Sequence, residues 1–214
     1  MVSNQKTIII AFDGTAASGK NTIAKLVAKK YGYDYLDTGL MFRKVAYCCT
    51  KQNTDFHDKQ EVLKVINTIN FSESIDKGEI YSDNISNLAS QIATKGYIRE
   101  ELLKIQRKFA NGKKGVVVDG RDIGTVVFPN ADFKFFFDAS LEERAIRRYS
   151  HLRNKGKDVV LSQVLESLRE RDQRDRIREV APLRQADGAF VINTTDSSIN
   201  EVLDMVLKKI NKKI

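Results

Sequence analysis

Apolar residues fall along this chain in two alternating rhythms. Continuous β-branched and aromatic runs at 7–12, 115–119, 133–137 and 189–192, with a shorter one at 33–36, predict strands buried on both faces. Between them the apolar positions repeat at helical spacing, over 20–30 with Ile23, Leu26 and Val27 on one side, and over 39–49, 161–176 and 199–210. Strands that alternate with helices predict an α/β fold with a parallel, doubly wound sheet.

One stretch breaks the rhythm. Residues 70–75 and 79–82 read as short strands joined by a turn at Asp76-Lys77-Gly78, so a hairpin insertion is expected over 69–85. Helical sequence follows over 86–109, interrupted near Gly96. Ser140 and Glu143 have the spacing of a capping box at the start of a further helix.

Composition narrows the class. There are 36 Lys and Arg against 28 Asp and Glu, a net charge of +8, which favours anionic partners without choosing among them. Lys208, Lys209, Lys212 and Lys213 end the last helix, where cations suit its dipole. No basic stripe interleaved with aromatics is present, so nucleic acid is not the expected partner. No run approaches the ~20 apolar residues of a membrane span, and the run at 8–12 is too brief for a leader peptide. Cys48 and Cys49 are adjacent and suggest neither a disulfide framework nor a zinc site, so a reducing cytoplasm is expected. No exposed apolar stripe is evident, and a monomer is expected.

The chemistry begins at Gly14-Thr15-Ala16-Ala17-Ser18-Gly19-Lys20, which fits G-x-x-x-x-G-K between the first strand and first helix. Gly14 permits a tight exit from the strand. Gly19 lets backbone N–H groups approach phosphates at a helix N-terminus, and Lys20 would reach the β- and γ-phosphates of ATP. The next position usually carries a magnesium-binding hydroxyl, but here it is Asn21, with Thr22 one place later. That offset, and the absence of a guanine-reading Asn-Lys-x-Asp motif, argue against a switch GTPase. They leave room for a kinase whose Mg2+ is held mainly by nucleotide oxygens and water, with Thr22 as the nearest protein hydroxyl.

Only two histidines occur, His57 and His151, and neither stands beside a nucleophile. Arginine is plentiful instead: Arg169, Arg171, Arg174, Arg176, Arg178 and Arg184 lie within one short stretch. Transfer of a phosphoryl group to another phosphate needs no base to make the nucleophile, but it needs fixed positive charge to bring two polyanions together. If the helix continues, Arg171, Arg174, Asp175 and Arg178 share a face, while Glu170–Arg174 and Asp172–Arg176 have ion-pair spacing. Asp119-Gly120-Arg121-Asp122 follows a strand at the edge where α/β sheets bind ligands, so Asp119 could orient magnesium or its waters and Arg121 could grip phosphate. Asp37-Thr38-Gly39 ends the second strand one turn before Arg43, and reads equally well as a helix cap. These features predict an ATP-using kinase that transfers a phosphoryl group to a phosphate-bearing acceptor.

The residues at 14–22 (GTAASGKNT), 36–43 (LDTGLMFR), 90–93 (SQIA) with Arg99, 118–131 (VDGRDIGTVVFPNA), 136–148 (FFDASLEERAIRR) and 169–183 (RERDQRDRIREVAPL) resemble the bacterial cytidylate kinases. The resemblance runs in order over nearly the whole chain. It implies a P-loop NTPase domain over 1–214 with five parallel strands flanked by helices. It further implies a small β-containing acceptor insertion at about 60–105 and a helical lid at about 150–186. Carried over by position, Arg43, Arg121 and Arg178 would hold the acceptor phosphate. Ser90, Arg99 and Asp122 would read the cytosine edge, Arg171 and Asp175 the sugar, and Thr38 keeps a hydroxyl where the family often has serine. Arg147 and Arg148, in a helix running from Arg144 to about Arg176, would close over ATP and share the catalytic charge with Lys20, Arg121 and Arg178. The implied reaction is transfer of the γ-phosphate of ATP to CMP or dCMP, with Mg2+ accompanying ATP. Cytosine chemistry fits, because a carboxylate accepts from the N4 amino group that uracil lacks.

Overall fold

The structure, a computed structural model, describes residues 6–212. Five strands, β1 (Ile8–Gly14), β2 (Asp34–Asp37), β3 (Gly115–Gly120), β4 (Phe133–Asp138) and β5 (Phe190–Asn193), form one parallel sheet in the order β2-β3-β1-β4-β5. The two central strands carry Ile10, Phe12, Val116, Val117 and Val118 at no exposure, the double-sided burial that their unbroken apolar runs predict. On one face Phe12, Phe137 and Val117 pack against α1 (Lys20–Tyr31) and α9 (Ile199–Asn211). On the other, Ala11, Val116 and Val118 meet Ile123 and Val127 of a π-turn (Ile123–Val127) and Leu103 of α6 (Gly96–Phe109).

Gly14 is required by a close approach. Its φ is +149°, and a Cβ there would lie 2.0 Å from the Phe137 carbonyl oxygen on β4. The chain therefore leaves β1 hard against its neighbour and turns into α1, whose first residue is Lys20.

A second apolar nucleus lies beside the sheet. α2 (Thr38–Lys51), α3 (Lys59–Thr68), α5 (Asp83–Ile92) and α6 close around Val45, Val62, Ile66, Ile92, Ile98 and Leu102. The hairpin expected over 69–85 is not formed. The segment consists of turns, one helical turn α4 (Lys77–Ile80), and the start of α5. Local polar groups outcompete strand pairing there. Lys44 Nζ donates to the carbonyls of Phe71 at 2.7 Å and Glu73 at 2.5 Å, Asp76 caps α4 through Gly78 N, and Ser82 caps α5 through Ile85 N. An isolated two-stranded ribbon has little to set against such bonds.

The charged C-terminal half also departs from expectation. The helix predicted from Arg144 to about Arg176 is two helices, α7 (Leu141–Arg153) and α8 (Leu161–Ile177), separated at Gly156 with φ +75°. They pack through Leu152, Val164 and Leu168, and through an Arg144–Asp172 bridge of 2.6 Å. Asp172 is thus taken from Arg176, which reaches Asp138 at 3.7 Å instead, while Glu170–Arg174 forms at 3.5 Å. Ser140 caps α7, but its capping box stays half made, because Glu143 turns to Arg147 and the Ser140 N–H donates to Thr195. The reciprocal box occurs at Ser198 and Glu201 of α9. Lys208 and Lys209 do occupy the last turn of α9, and Lys213 lies outside the described residues. Among the described residues, no helix is long and apolar enough to cross a membrane.

Candidate functional site

A cleft of about 760 Å³ opens at the C-terminal ends of β1, β2 and β3, between the α2–α6 nucleus and the α7–α8 pair. The strand-ending loops put most of the expected residues in its wall, as the parallel topology dictates.

The phosphate loop forms its floor. Ala16, Ala17 and Lys20 face the cleft, while Thr15 and Ser18 are buried and brace the loop. Thr15 Oγ1 donates to Asp138 at 2.9 Å, and Ser18 Oγ donates to the Thr15 carbonyl. Arg144 donates to the Ala16 carbonyl at 3.2 Å, tying the loop to α7. Lys20 Nζ donates to the Thr15 carbonyl at 3.3 Å. Burial, and after it the nearby Arg121 cation, lower the Lys20 pKa to about 7.

Asn21 lies where β2 and β3 end side by side. Its amide nitrogen is 2.6 Å from the Tyr35 hydroxyl, 2.9 Å from Asp119 and 3.1 Å from Asp37. The Tyr35 hydroxyl itself donates to Asp119. Burial and the Asp37 charge raise the Asp119 pKa to about 6. Thr22 is exposed and lines a different cleft.

Four arginines, Arg43, Arg121, Arg171 and Arg178, converge on the cleft wall. Arg121 Nε donates to Asp175 at 2.9 Å, and Arg178, capping the C-terminus of α8, meets the same carboxylate at 3.4 Å. Arg178 therefore falls past the helical face it was expected to share. Arg178 Nη2 and Arg171 Nε are buried without a hydrogen-bond partner. Desolvation is the first cause that lowers both cations, Arg171 to about 9 and Arg178 to about 10, with Arg121 and Arg99 respectively as the largest charge effects. Buried N–H groups left unpaired at the wall of a cleft suit an anion with oxygens to fill them. Asp175, ringed by Arg121, Arg171 and Arg178, is held below the usual carboxylate range despite its burial. Arg43 lies over the Tyr81 ring at 5.1 Å, and Thr38 donates to the Asp119 carbonyl at 2.8 Å.

Deeper in the cleft Arg99 and Asp122 form an ion pair of 2.5 Å, with Arg178 Nη2 3.9 Å from the other Asp122 oxygen. Ser90 is buried in the wall of the same cleft and accepts from Arg174 at 3.4 Å. Asp122 is aimed by a residue that the sequence reading did not single out. Both oxygens of buried Asp13 accept from the backbone of the π-turn, Ile123 N and Gly124 N, each at 2.7 Å. Burial raises the Asp13 pKa to about 7. The signal was present, a carboxylate at the end of a buried strand immediately before Gly14.

A polar seam joins the two walls. Asp83, Asn87 and Ser90 lie at i, i+4 and i+7 on one face of α5. Asp83 takes Arg148 at 3.2 Å and Lys157 at 3.1 Å, while Arg174 reaches Asn87 at 3.0 Å as well as Ser90.

A second cleft, of about 580 Å³, runs from Gly19 and Thr22 past His151 to Thr194 and Ser198. Arg147 lies there but does not point at the phosphate loop. It donates to the Thr194 carbonyl at 2.6 Å, to Thr194 Oγ1 and the Thr195 carbonyl, and to Glu143 at 2.8 Å, tying α7 to the turn after β5. That turn was also missed, although a polar Asn193-Thr194-Thr195-Asp196 run at a strand's carboxyl end is a ligand-site signal. Among the described residues, no three His, Cys, Asp or Glu side chains cluster as a metal cage.

The family model for cytidylate kinase matches residues 10–212. A cytidylate kinase of Fusobacterium nucleatum subsp. nucleatum is 42% identical, over 96% of this chain and 98% of its own length. One from Bacillus subtilis (strain 168) is 42% identical, over 98% of this chain and 99% of its own. Among solved structures, TT1252 from Thermus thermophilus shares the fold with a TM-score of 0.51 at 20% identity, covering 98% of this chain and 99% of that one.

Proposed function

This chain belongs to the cytidylate kinase family, and from that premise we propose how its cleft moves the γ-phosphate of ATP onto CMP or dCMP. The products are ADP and CDP or dCDP. The observation that carries the residue assignment is the pair of buried guanidinium nitrogens without a hydrogen-bond partner, Arg171 Nε and Arg178 Nη2, in the cleft that holds the Arg99–Asp122 pair. The first two await anionic or hydroxyl oxygens, and the second presents a donor and an acceptor to a base edge.

In this reading Gly14 to Thr22 bind ATP, with Lys20 on the transferred phosphate. Arg43, Arg121 and Arg178 hold the acceptor phosphate in line with it. Arg171 and Asp175 take the sugar, and Thr38 and Asp119 fix the exit of β2 against β3. Asp122 accepts from the cytosine amino group while Arg99 and Ser90 donate to ring acceptors. Uracil places a carbonyl against Asp122, and that mismatch leaves buried polar groups unpaired. Arg148 bridges the two clefts and adds charge during transfer. Arg147 acts by holding the turn at Thr194, which borders the donor cleft.

ATP-dependent transfer calls for a divalent cation, which we take to be Mg2+. Asp37 and Asp119 offer hard oxygens suited to its waters, while Thr22 faces the other cleft. When bound, the cation neutralises charge on the phosphates. We read the segment at about 60–105 as the acceptor insertion, supported by its own apolar nucleus, and 150–186 as the lid, supported by the packing of Leu152 on Val164 and Leu168. Closing of that lid excludes water from the transferred group. A monomer working in the cytoplasm on small anions, without nucleic acid, completes the reading.

The test is ADP release from MgATP with CMP, dCMP, UMP, AMP, GMP, dTMP and shikimate offered separately. Turnover on CMP and dCMP far above UMP is expected. Faster turnover on any other acceptor overturns the assignment of Ser90, Arg99 and Asp122.

A further inference from the structure

Asn21 interrupts the phosphate-loop pattern where a hydroxyl is usual, and its side chain makes three contacts to which the transfer reading gives no role for the amide itself. Its amide end faces the Asp37 and Asp119 carboxylate oxygens and the Tyr35 hydroxyl, at 3.1, 2.9 and 2.6 Å. Two of these are acceptors only, and the Tyr35 hydrogen is spent on Asp119. All three surroundings therefore call for a donor, which fixes the NH2 end of the amide in that position. The reach matters too. A serine at this place is too short to span oxygens from β2 and β3 together.

The two carboxylates need such a group. Asp119 is buried within the fields of the Asp37 carboxylate and the Arg121 cation, and the remaining Asp37 oxygen already accepts from Leu40 N to cap α2. Two neighbouring carboxylates at a partly dry cleft attract a cation, and hard oxygens of this kind suit a divalent one. The Asn21 amide puts its N–H groups on the oxygens such a cation would take.

We infer that Asn21 is a positioning residue that acts as an internal counter-group for Asp37 and Asp119, competing with divalent cations for the same oxygens. The carboxylate pair is thereby held at a fixed span and refuses a cation on its own. A cation enters only in company with nucleotide phosphates, whose oxygens supply what the pair cannot. The idea deepens the phosphoryl-transfer reading and rests on it only for the part played by the nucleotide.

The test needs neither nucleotide nor acceptor, so its outcome is independent of the acceptor panel. Mn2+ alone is titrated into the full-length protein, and the free ion is followed by its electron paramagnetic resonance signal. The native chain is expected to bind weakly. Asn21→Ser, which removes the amide, and Asn21→Asp, which turns the donor into a third acceptor, are expected to bind at least about 10-fold more tightly, with Asn21→Asp the tighter. Adding Asp119→Asn to either variant should abolish the gain. Equal Mn2+ affinity in the native chain and both variants overturns the inference, as does a gain that survives Asp119→Asn.

Discussion

Arg99 and Asp122 hold each other at 2.5 Å with both side chains only 9% exposed, so the groups assigned to the cytosine edge satisfy one another before any base arrives. In the proposed pose cytosine turns its N4 amino donor to Asp122 and its ring acceptors to Arg99, whereas uracil turns its O4 carbonyl to Asp122.

Asp122→Asn should therefore relax the choice of base. The amide can present either end, and the ratio of kcat/KM for CMP over UMP is expected to fall by about 100-fold or more. Steady-state kinetics with both acceptors check this, and an unchanged ratio would remove Asp122 from base reading.

Arg178→Ala should slow turnover by about 10³-fold, the scale of losing an arginine that neutralises a transferring phosphoryl group. The KM for ATP should move little, because Arg178 contacts Asp175 and the Ala181 carbonyl on the acceptor side. Circular dichroism of the variant should match the native protein. Near-native kcat would show that its unpartnered N–H serves nothing in transfer.

Lys20 should make proton uptake part of ATP binding. Its folded pKa of about 7 lies below the unfolded value of 10.5, so between these limits the folded amine is neutral while an unfolded one is charged. The unfolded chain binds the extra proton, and stability from this residue falls as pH drops from 10.5 towards 7 and is level below it. Phosphates beside Lys20 favour the ammonium form. At pH 8, calorimetry of ATP binding in buffers of different ionisation enthalpy should register proton uptake, which Lys20→Met should reduce. Equal uptake in the variant would exclude Lys20 as the source.

Asp172→Ala should unfold the α7–α8 pair more readily. It strands Arg144, whose side chain is 5% exposed and bridges Asp172 at 2.6 Å. Loss of one partner from a buried pair costs about 3–5 kcal/mol, readable as a lower urea midpoint. A midpoint within error of native would mean that Arg144 is held well enough by the carbonyls of Ala16 and Ala139.

What was legible in the chain depended on how local the signal was. The strands and the phosphate loop follow from short-range pattern, and Phe12 or Val117 could sit nowhere but in a core. The segment at 69–85 was misread because its strand-like residues are outweighed by Lys44, a helical residue 26 or more positions away that collects their carbonyls. Asp172 sat at the right spacing for Arg176, yet a chain reversal at Gly156 brought it Arg144 instead. Asn21 was visible only as an anomaly. Its partners lie 14, 16 and 98 residues on, and no periodicity links them.

The α5 seam has one more consequence. Asp83 is 59% exposed, so its pairs with Arg148 and Lys157 are bathed in solvent, each worth under about 1 kcal/mol and weakened by dissolved ions. A fastening of that kind costs little to undo. On the lid reading proposed above, spent nucleotides should leave without a dedicated trigger, and the salinity of the surroundings should act as a throttle on how often the cleft reopens.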